Sequence, residues 1–133
     1  MLRVIPLLVL VVGLYNVLAL LTNTVMTTPV FSLAMPSGDS FDLNTAELLL
    51  VLGLLLLYLE LLKATRSGSA SVVDHVLSMA LFVVALLEFI LLPGFGTAAF
   101  ALIVLLTLID VVAGFTITIS TARRDIGFGQ SLD

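Results

Sequence analysis

The stretch VVDHVLSMALFVVALLEFILLPGFGTAAFALIVLLTLIDVVAGFTITIST, from Val72 to Thr121, holds two apolar runs joined by Pro93-Gly94-Phe95-Gly96. Each run is long enough to cross a hydrocarbon layer of about 30 Å at about 1.5 Å per helical residue. A water-soluble helical hairpin would carry a charged face. Here Val, Leu, Ile and Phe go all the way round, and Pro93-Gly94 supplies a stop in both residue types. Working outward, LLLVLGLLLLYLELL from Leu48 to Leu62 reads as another span, and the run beginning at Val4 reads as the first. The expected fold is an all-α membrane protein, a four-transmembrane-helix bundle with helices at about 4–21, 46–62, 72–92 and 97–121. The chain, 1–133, is read as one membrane domain with a loosely ordered tail at 122–133.

Composition agrees. The sequence of 133 residues is 61% hydrophobic and only 11% charged, far below the roughly 25% charged residues of soluble domains. With no Cys and a single His, thiolate metal sites, disulfides and a multi-histidine centre are excluded, so no cofactor and no metal are expected. A net charge of −4 leaves no basic footprint for nucleic acid. The five cations are Arg3, Lys63, Arg66, Arg123 and Arg124, all at one end of the expected bundle, while 22–45 and 93–96 contain no Lys or Arg. The positive-inside rule then puts both termini in the cytoplasm, N-in and C-in. A multi-pass location in a bacterial inner membrane is expected. The first apolar run has an Arg before it, as a signal peptide would, yet it is long and lacks a small-x-small cleavage motif, so it is read as helix 1.

The loop between helices 1 and 2 carries VFSLAMPSGDSFDL, in which apolar and polar residues alternate about Pro36-Ser37-Gly38-Asp39. This spacing predicts a short β-hairpin over about 30–43, with Phe31, Leu33 and Met35 on one face matched by Phe41 and Leu43. A two-stranded hairpin alone is marginal. Its apolar face is therefore expected to rest on the bilayer interface, the helix ends or another protein, and these five residues are the candidate partner contact.

The acids sort by position. Glu47 follows Asn44 by three residues and Asp74 follows Ser71 by three, the spacing of a capping box at the starts of helices 2 and 3. His75 is expected at the cytoplasmic rim as an amphipathic anchor. Glu60, Glu88 and Asp110 fall inside spans, where an ionised carboxylate costs roughly 2.5–3.5 kcal/mol and wants a partner, a proton or a cavity. Counting residues puts Glu60 roughly 7 Å to the cytoplasmic side of centre, Asp110 within roughly 3 Å of it, and Glu88 roughly 8 Å to the outer side, the half in which Asn16 also falls. Helical spacing groups Gly13 with Asn16, Gly53 with Glu60, Ser78 and Ala85 with Asp74 and Glu88, and Thr107, Gly114 and Thr118 with Asp110. An internal polar seam is predicted, with Asp110, Glu88, Glu60, Asn16 and Thr107 as its members. As structural glue it would fix helix register, with Glu60 reaching out towards Lys63; as a pathway it would carry protons or cations.

An enzyme is not expected. A Ser or Thr nucleophile needs a base, and the only His is at the rim. Glu88 and Asp110 are separated by roughly 10 Å along the axis, too far to share a proton. No phosphate loop or zinc motif occurs. The expected function is a small non-enzymatic accessory or interaction subunit of a membrane complex, its partners being the lipid bilayer and another membrane protein or itself. The alternative is a small proton- or cation-coupled transporter or channel using the intramembrane carboxylates.

Overall fold

The computed structural model describes residues 5–21, 25–66 and 71–129. In chain order these form α1 (Val9–Leu21), a 3-10 turn (Val25–Thr27), β1 (Pro29–Ala34), β2 (Ser40–Asn44), α2 (Thr45–Arg66), α3 (Ser71–Leu91) and α4 (Ala98–Gly129). Three helices are long and apolar enough to cross a membrane, over Thr45–Arg66, Val72–Leu91 and Ala98–Arg124.

The first helix differs from expectation. It begins at Val9 and has 13 residues, about 20 Å of rise. Residues 1–4, where the run was expected to start, lie outside the described residues. Pro6 explains the late start: Val9, Leu10 and Val11 donate to the carbonyls of Pro6, Leu7 and Leu8, each at 3.1 Å, so the chain passes through a tight i→i+3 turn before the α-helical pattern begins. Leu8, Val11, Val12 and Tyr15 are the buried residues that follow, a regular i, i+3, i+4, i+7 stripe. Gly13 was expected on that stripe; it is exposed, and Tyr15 takes the inward place.

The end of the chain also differs. The tail expected to be loose continues α4 to Gly129. No proline interrupts 98–129, and an isolated glycine costs only about 1 kcal/mol in a helix. In the same way α2 runs past Leu62 through Lys63, Ala64 and Arg66, all good helix formers.

The centre of the bundle is α4, which packs most extensively on α2 and α3, while α1 lies chiefly on α2. Gly53 permits the α2 contact, since a Cβ there would sit 2.9 Å from Leu106 Cδ1 and 3.6 Å from Val11 Cγ1. The aromatic part of the core lies at the end where α4 starts. Tyr15 meets Phe100 with ring centroids 4.6 Å apart, and Phe95 meets Phe100 edge-on at 5.0 Å. The turn before α4 is closed by Gly94, whose φ of 85° is a left-handed value. Thr97 then does two jobs: its Oγ1 accepts from Phe100 N at 3.1 Å as an N-cap, and it shares a 2.7 Å hydrogen bond with the buried Tyr15 hydroxyl.

The expected hairpin forms, with Met35 just past the end of β1 and outside the strand pairing. Phe31 pairs with Leu43, Leu33 with Phe41, and Ser32 with Asp42, with an irregularity between Pro29 and Phe31. Met35 N donates to Asp39 O at 2.8 Å, and Gly38 closes the turn at φ 94°.

Because Thr97 serves both a cap and a buried hydroxyl, Thr97→Val is expected to cost about 2–3 kcal/mol, and Tyr15→Phe, which loses one bond and no packing, about 1 kcal/mol. Thermal denaturation of the purified protein in one detergent checks the order; equal losses would mean that the cap carries nothing.

Candidate functional site

At the end where α2 finishes and α3 begins, a cation and two carboxylates are drawn together. Lys63 Nζ lies 2.5 Å from Glu60 Oε1 one turn earlier and 3.0 Å from Asp74 Oδ1 on α3. It also donates to the carbonyl of Ile5 at 3.2 Å, and Glu60 Oε2 accepts from Leu7 N at 2.8 Å. Two backbone groups of the segment before α1 are thus tied to the end of α2. Glu60, expected in the internal seam and directed towards Lys63, is only 2% exposed, and Lys63 folds in to meet it, with 18% of its side chain accessible. Asp74 stands in the first turn of α3, but its Oδ1 is spent on Lys63. The side chain of Ser71, its expected capping partner, lies outside the described residues.

Asp110 faces this cluster from α4. It is 5% exposed, its hydrogen-bonding neighbour is Ser78 of α3, and the charges of Glu60, Asp74 and Lys63 all act on it. Its Oδ2 is buried without a hydrogen-bond partner among the described residues. One turn further, His75 corrects the expectation of an amphipathic anchor: it lies near the start of α3 but faces inward. The ring is buried, stacks on Phe115 at 4.9 Å, and its Nε2 lies 2.6 Å from Thr118 Oγ1. Gly114 makes room for it, since a Cβ there would come within 2.9 Å of both Cε1 and Nδ1 of the ring.

A second polar layer lies near the opposite end. Asn16 Nδ2 donates to Glu88 Oε2 at 2.9 Å and to Val12 O at 3.0 Å, joining α1 to α3. Between the two layers Ala85 of α3 and Ile103 and Val104 of α4 are buried. Thr107 is buried too, and its hydroxyl donates to Val104 O of its own helix at 2.7 Å. The predicted seam is therefore split: Asn16 pairs with Glu88, Glu60 with Lys63 and Asp74, and Thr107 turns to its own backbone.

At the start of α2, Asn44 N donates to Glu47 Oε2 and Glu47 N to Asn44 Oδ1, each at 2.9 Å. This is a reciprocal capping pair with Asn in the usual Ser or Thr place. Beside it lies an apolar cleft of about 410 Å³ between α2 and α4, with Leu50 and Leu102 as walls and Tyr15, Glu47 and Thr97 as polar points. The hairpin stands open above. Phe31, Leu33, Met35 and Phe41 are exposed, and on the other face Asp42 accepts from the Ser32 and Ser40 hydroxyls. Those hydroxyls, Ser32 first, hold the Asp42 carboxyl below the usual carboxylate range, so it keeps its charge through the neutral range. Among the described residues no three His, Cys, Asp or Glu side chains could hold a metal ion.

The sequence reading missed Tyr15 and Thr97 as partners and Lys63 as a bridge to Asp74. The only local signal was Thr97 immediately before an apolar run, a capping position.

Removing Lys63 leaves two buried carboxylates without their cation, so Lys63→Met is expected to cost about 3–5 kcal/mol. The triple variant Glu60→Gln, Lys63→Met, Asp74→Asn is expected to recover most of that loss. Yield and melting temperature of folded protein in detergent check both; a fully stable Lys63→Met variant would refute the bridge.

Comparison of the chain with protein families, with characterised proteins and with solved structures finds no match.

Proposed function

We propose that this chain crosses the membrane four times with both termini cytoplasmic, and serves as a non-enzymatic accessory subunit that docks another membrane protein through its extracytoplasmic hairpin. The docking reading is carried by one observation: Phe31, Leu33, Met35 and Phe41 stay between 45% and 54% exposed on a two-stranded ribbon. Such a ribbon is marginal by itself, and burial of this face against a partner is what would stabilise it. The polar groups inside the bundle are meanwhile engaged in contacts between and within helices. That is the behaviour of glue.

The orientation is supported by the cations, since Lys63 and Arg66 end α2 and Arg123 and Arg124 lie near the end of α4, with none at the hairpin end. The short α1 is supported as a span by its two attachments. Leu7 is fixed to Glu60 near one end of the bundle and Asn16 to Glu88 near the other, so the lead-in and helix together cover the distance between the layers.

One observation favours a proton- or cation-coupled carrier as a second reading, the unpartnered Oδ2 of Asp110. Against it stands the apolar and self-bonded layer between the two polar groups of residues, which leaves no described chain of hydrogen bonds across the bundle.

The test is the native mass of the tagged protein, extracted from its own membrane in mild detergent, with identification of what co-elutes. A stoichiometric partner is expected, and the double variant Phe31→Ser, Phe41→Ser is expected to release it while the helical circular dichroism is unchanged. A bare monomer or homo-oligomer would overturn the accessory reading. Proton flux in liposomes that Asp110→Asn abolishes without loss of fold would then support the carrier.

A further inference from the structure

The hairpin offers more than an apolar face. Among the described residues it has two strands, so each has one backbone edge with no described strand beside it, a template for a further strand. The main contacts of β2 are with β1 and, at its root, with α2. Side chains alternate across the ribbon: Phe41 and Leu43 lie on the face of Leu33 and Phe31, while Ser40 and Asp42 lie on the face of Ala34 and Ser32. Any strand laid beside β2 therefore meets an apolar position, then an acidic one, then an apolar one.

The charge of that edge has one sign. Asp39 and Asp42 are exposed and Glu47 is half-buried at the root, and neither 22–45 nor 93–96 contains a Lys or Arg. The described hydrogen-bond partners of Asp42 are two serine hydroxyls, which leave its charge in place. Like charges placed directly across a sheet repel and opposite charges attract. A second copy paired antiparallel on the same edge with full overlap of β2 (Ser40–Asn44) would centre on Asp42 and bring it against Asp42, which disfavours that homotypic ribbon.

We propose that the free edge of β2 receives an extended segment of a different protein in which basic and aliphatic residues alternate, the basic ones facing Asp42 and the aliphatic ones extending the Phe31, Leu33 and Phe41 face. Backbone pairing supplies the geometry and the alternation supplies the selectivity. The inference rests on the accessory reading and names the chemistry of the partner's contact.

The experiment uses the full chain in nanodiscs of zwitterionic phosphatidylcholine, with two fluorescent peptides of equal length, one alternating Lys and Val and the other Glu and Val. Anisotropy is expected to show the Lys-Val peptide bound roughly five- to tenfold more tightly than Glu-Val, with the preference shrinking as salt is raised. Asp42→Lys, a change at an exposed position, is expected to reverse the preference. Equal binding of the two peptides, equal binding to empty discs, which would make the bilayer the site, or an unreversed preference in Asp42→Lys would each overturn the proposal. Co-purification separates it from the reading beneath it. A native partner lost with Phe31→Ser, Phe41→Ser but retained with Asp42→Lys leaves the accessory role standing and removes the basic strand. If nothing co-purifies, the accessory reading falls, and the peptide preference still decides the chemistry of the edge.

Discussion

Lys63 brings its ammonium group between Glu60 and Asp74, and the order of the rest of the bundle follows from that placement. Two carboxylates buried to 2% and 6% exposure could not be kept there alone, since an unpaired buried ion costs several kcal/mol after relaxation. With one cation between them, the last turns of α2 and the first turn of α3 are held together across the connection that joins them. The free capacity of the same groups reaches the lead-in to α1 through Ile5 O and Leu7 N. Pro6 sits between those two residues, where the chain has no amide to donate and needs its neighbours fixed from outside. A single ion cluster thus sets where α1 begins and which face it turns inward.

Once α1 is set, its other attachments fall into place one after another. A helix that starts at Val9 with Leu8, Val11, Val12 and Tyr15 inward brings the Tyr15 hydroxyl to Thr97 and Asn16 to Glu88. These contacts secure the start of α4 and the end of α3, the elements flanking the Pro93-Gly94 turn. The central α4 is then held at its start by the Tyr15, Phe95 and Phe100 rings and around its middle by Asp110, Gly114 and Thr118, which face α3. What lies between is aliphatic. In a membrane such packing is weakly directional, because lipid tails are as apolar as the side chains they replace. The polar contacts at the two levels therefore supply the register that the Leu and Val faces cannot.

How much of this was legible in the sequence depended on whether the signal was local. Strand pairing at Phe31, Leu33, Phe41 and Leu43 was legible because period-2 alternation around a Pro-Ser-Gly turn admits one register that keeps apolar residues together. Asn44 and Glu47 were legible because a cap acts over three residues. Counting along the helices put Asn16 and Glu88 in the same half of the bundle, though not in contact, which the structure adds. The inward turn of Lys63, the burial of His75 and the start of α1 were not legible for a common reason: each depends on a group distant in sequence. Lys63 turns inward because Asp74 shares it with Glu60. His75 is buried because Gly114, on another helix, leaves the space. The start of α1 is moved by Pro6 and fixed by a carboxylate of α2. No window of neighbouring residues contains those pairs. The end of α4 was misread differently, because a run with glycines and charges resembles a tail by composition although nothing in it stops a helix.

The two ends of the molecule are built to opposite specifications. At the lysine-bearing end, polar groups of α2, α3 and the lead-in to α1 are drawn inward and joined, and Asp110 contributes an oxygen with no hydrogen-bond partner among the described residues. At the hairpin end the helices are sealed by aromatic rings and caps, and an extended ribbon is placed beyond them with its apolar face and its backbone edges unused. Folding accounts for the first arrangement, since a buried charge must be matched where it lies. It does not account for the second: the ribbon's rigid link to α2 through Asn44 and Glu47 would be unnecessary in a connection that had only to join two helices. A loop that merely spans a distance has no need of matched apolar pairs, a left-handed glycine at its turn, and an acid kept charged by two serines. In the proposed accessory role those features would present a surface of alternating apolar and acidic character to another chain, with the Asn44–Glu47 pair joining it to the start of α2.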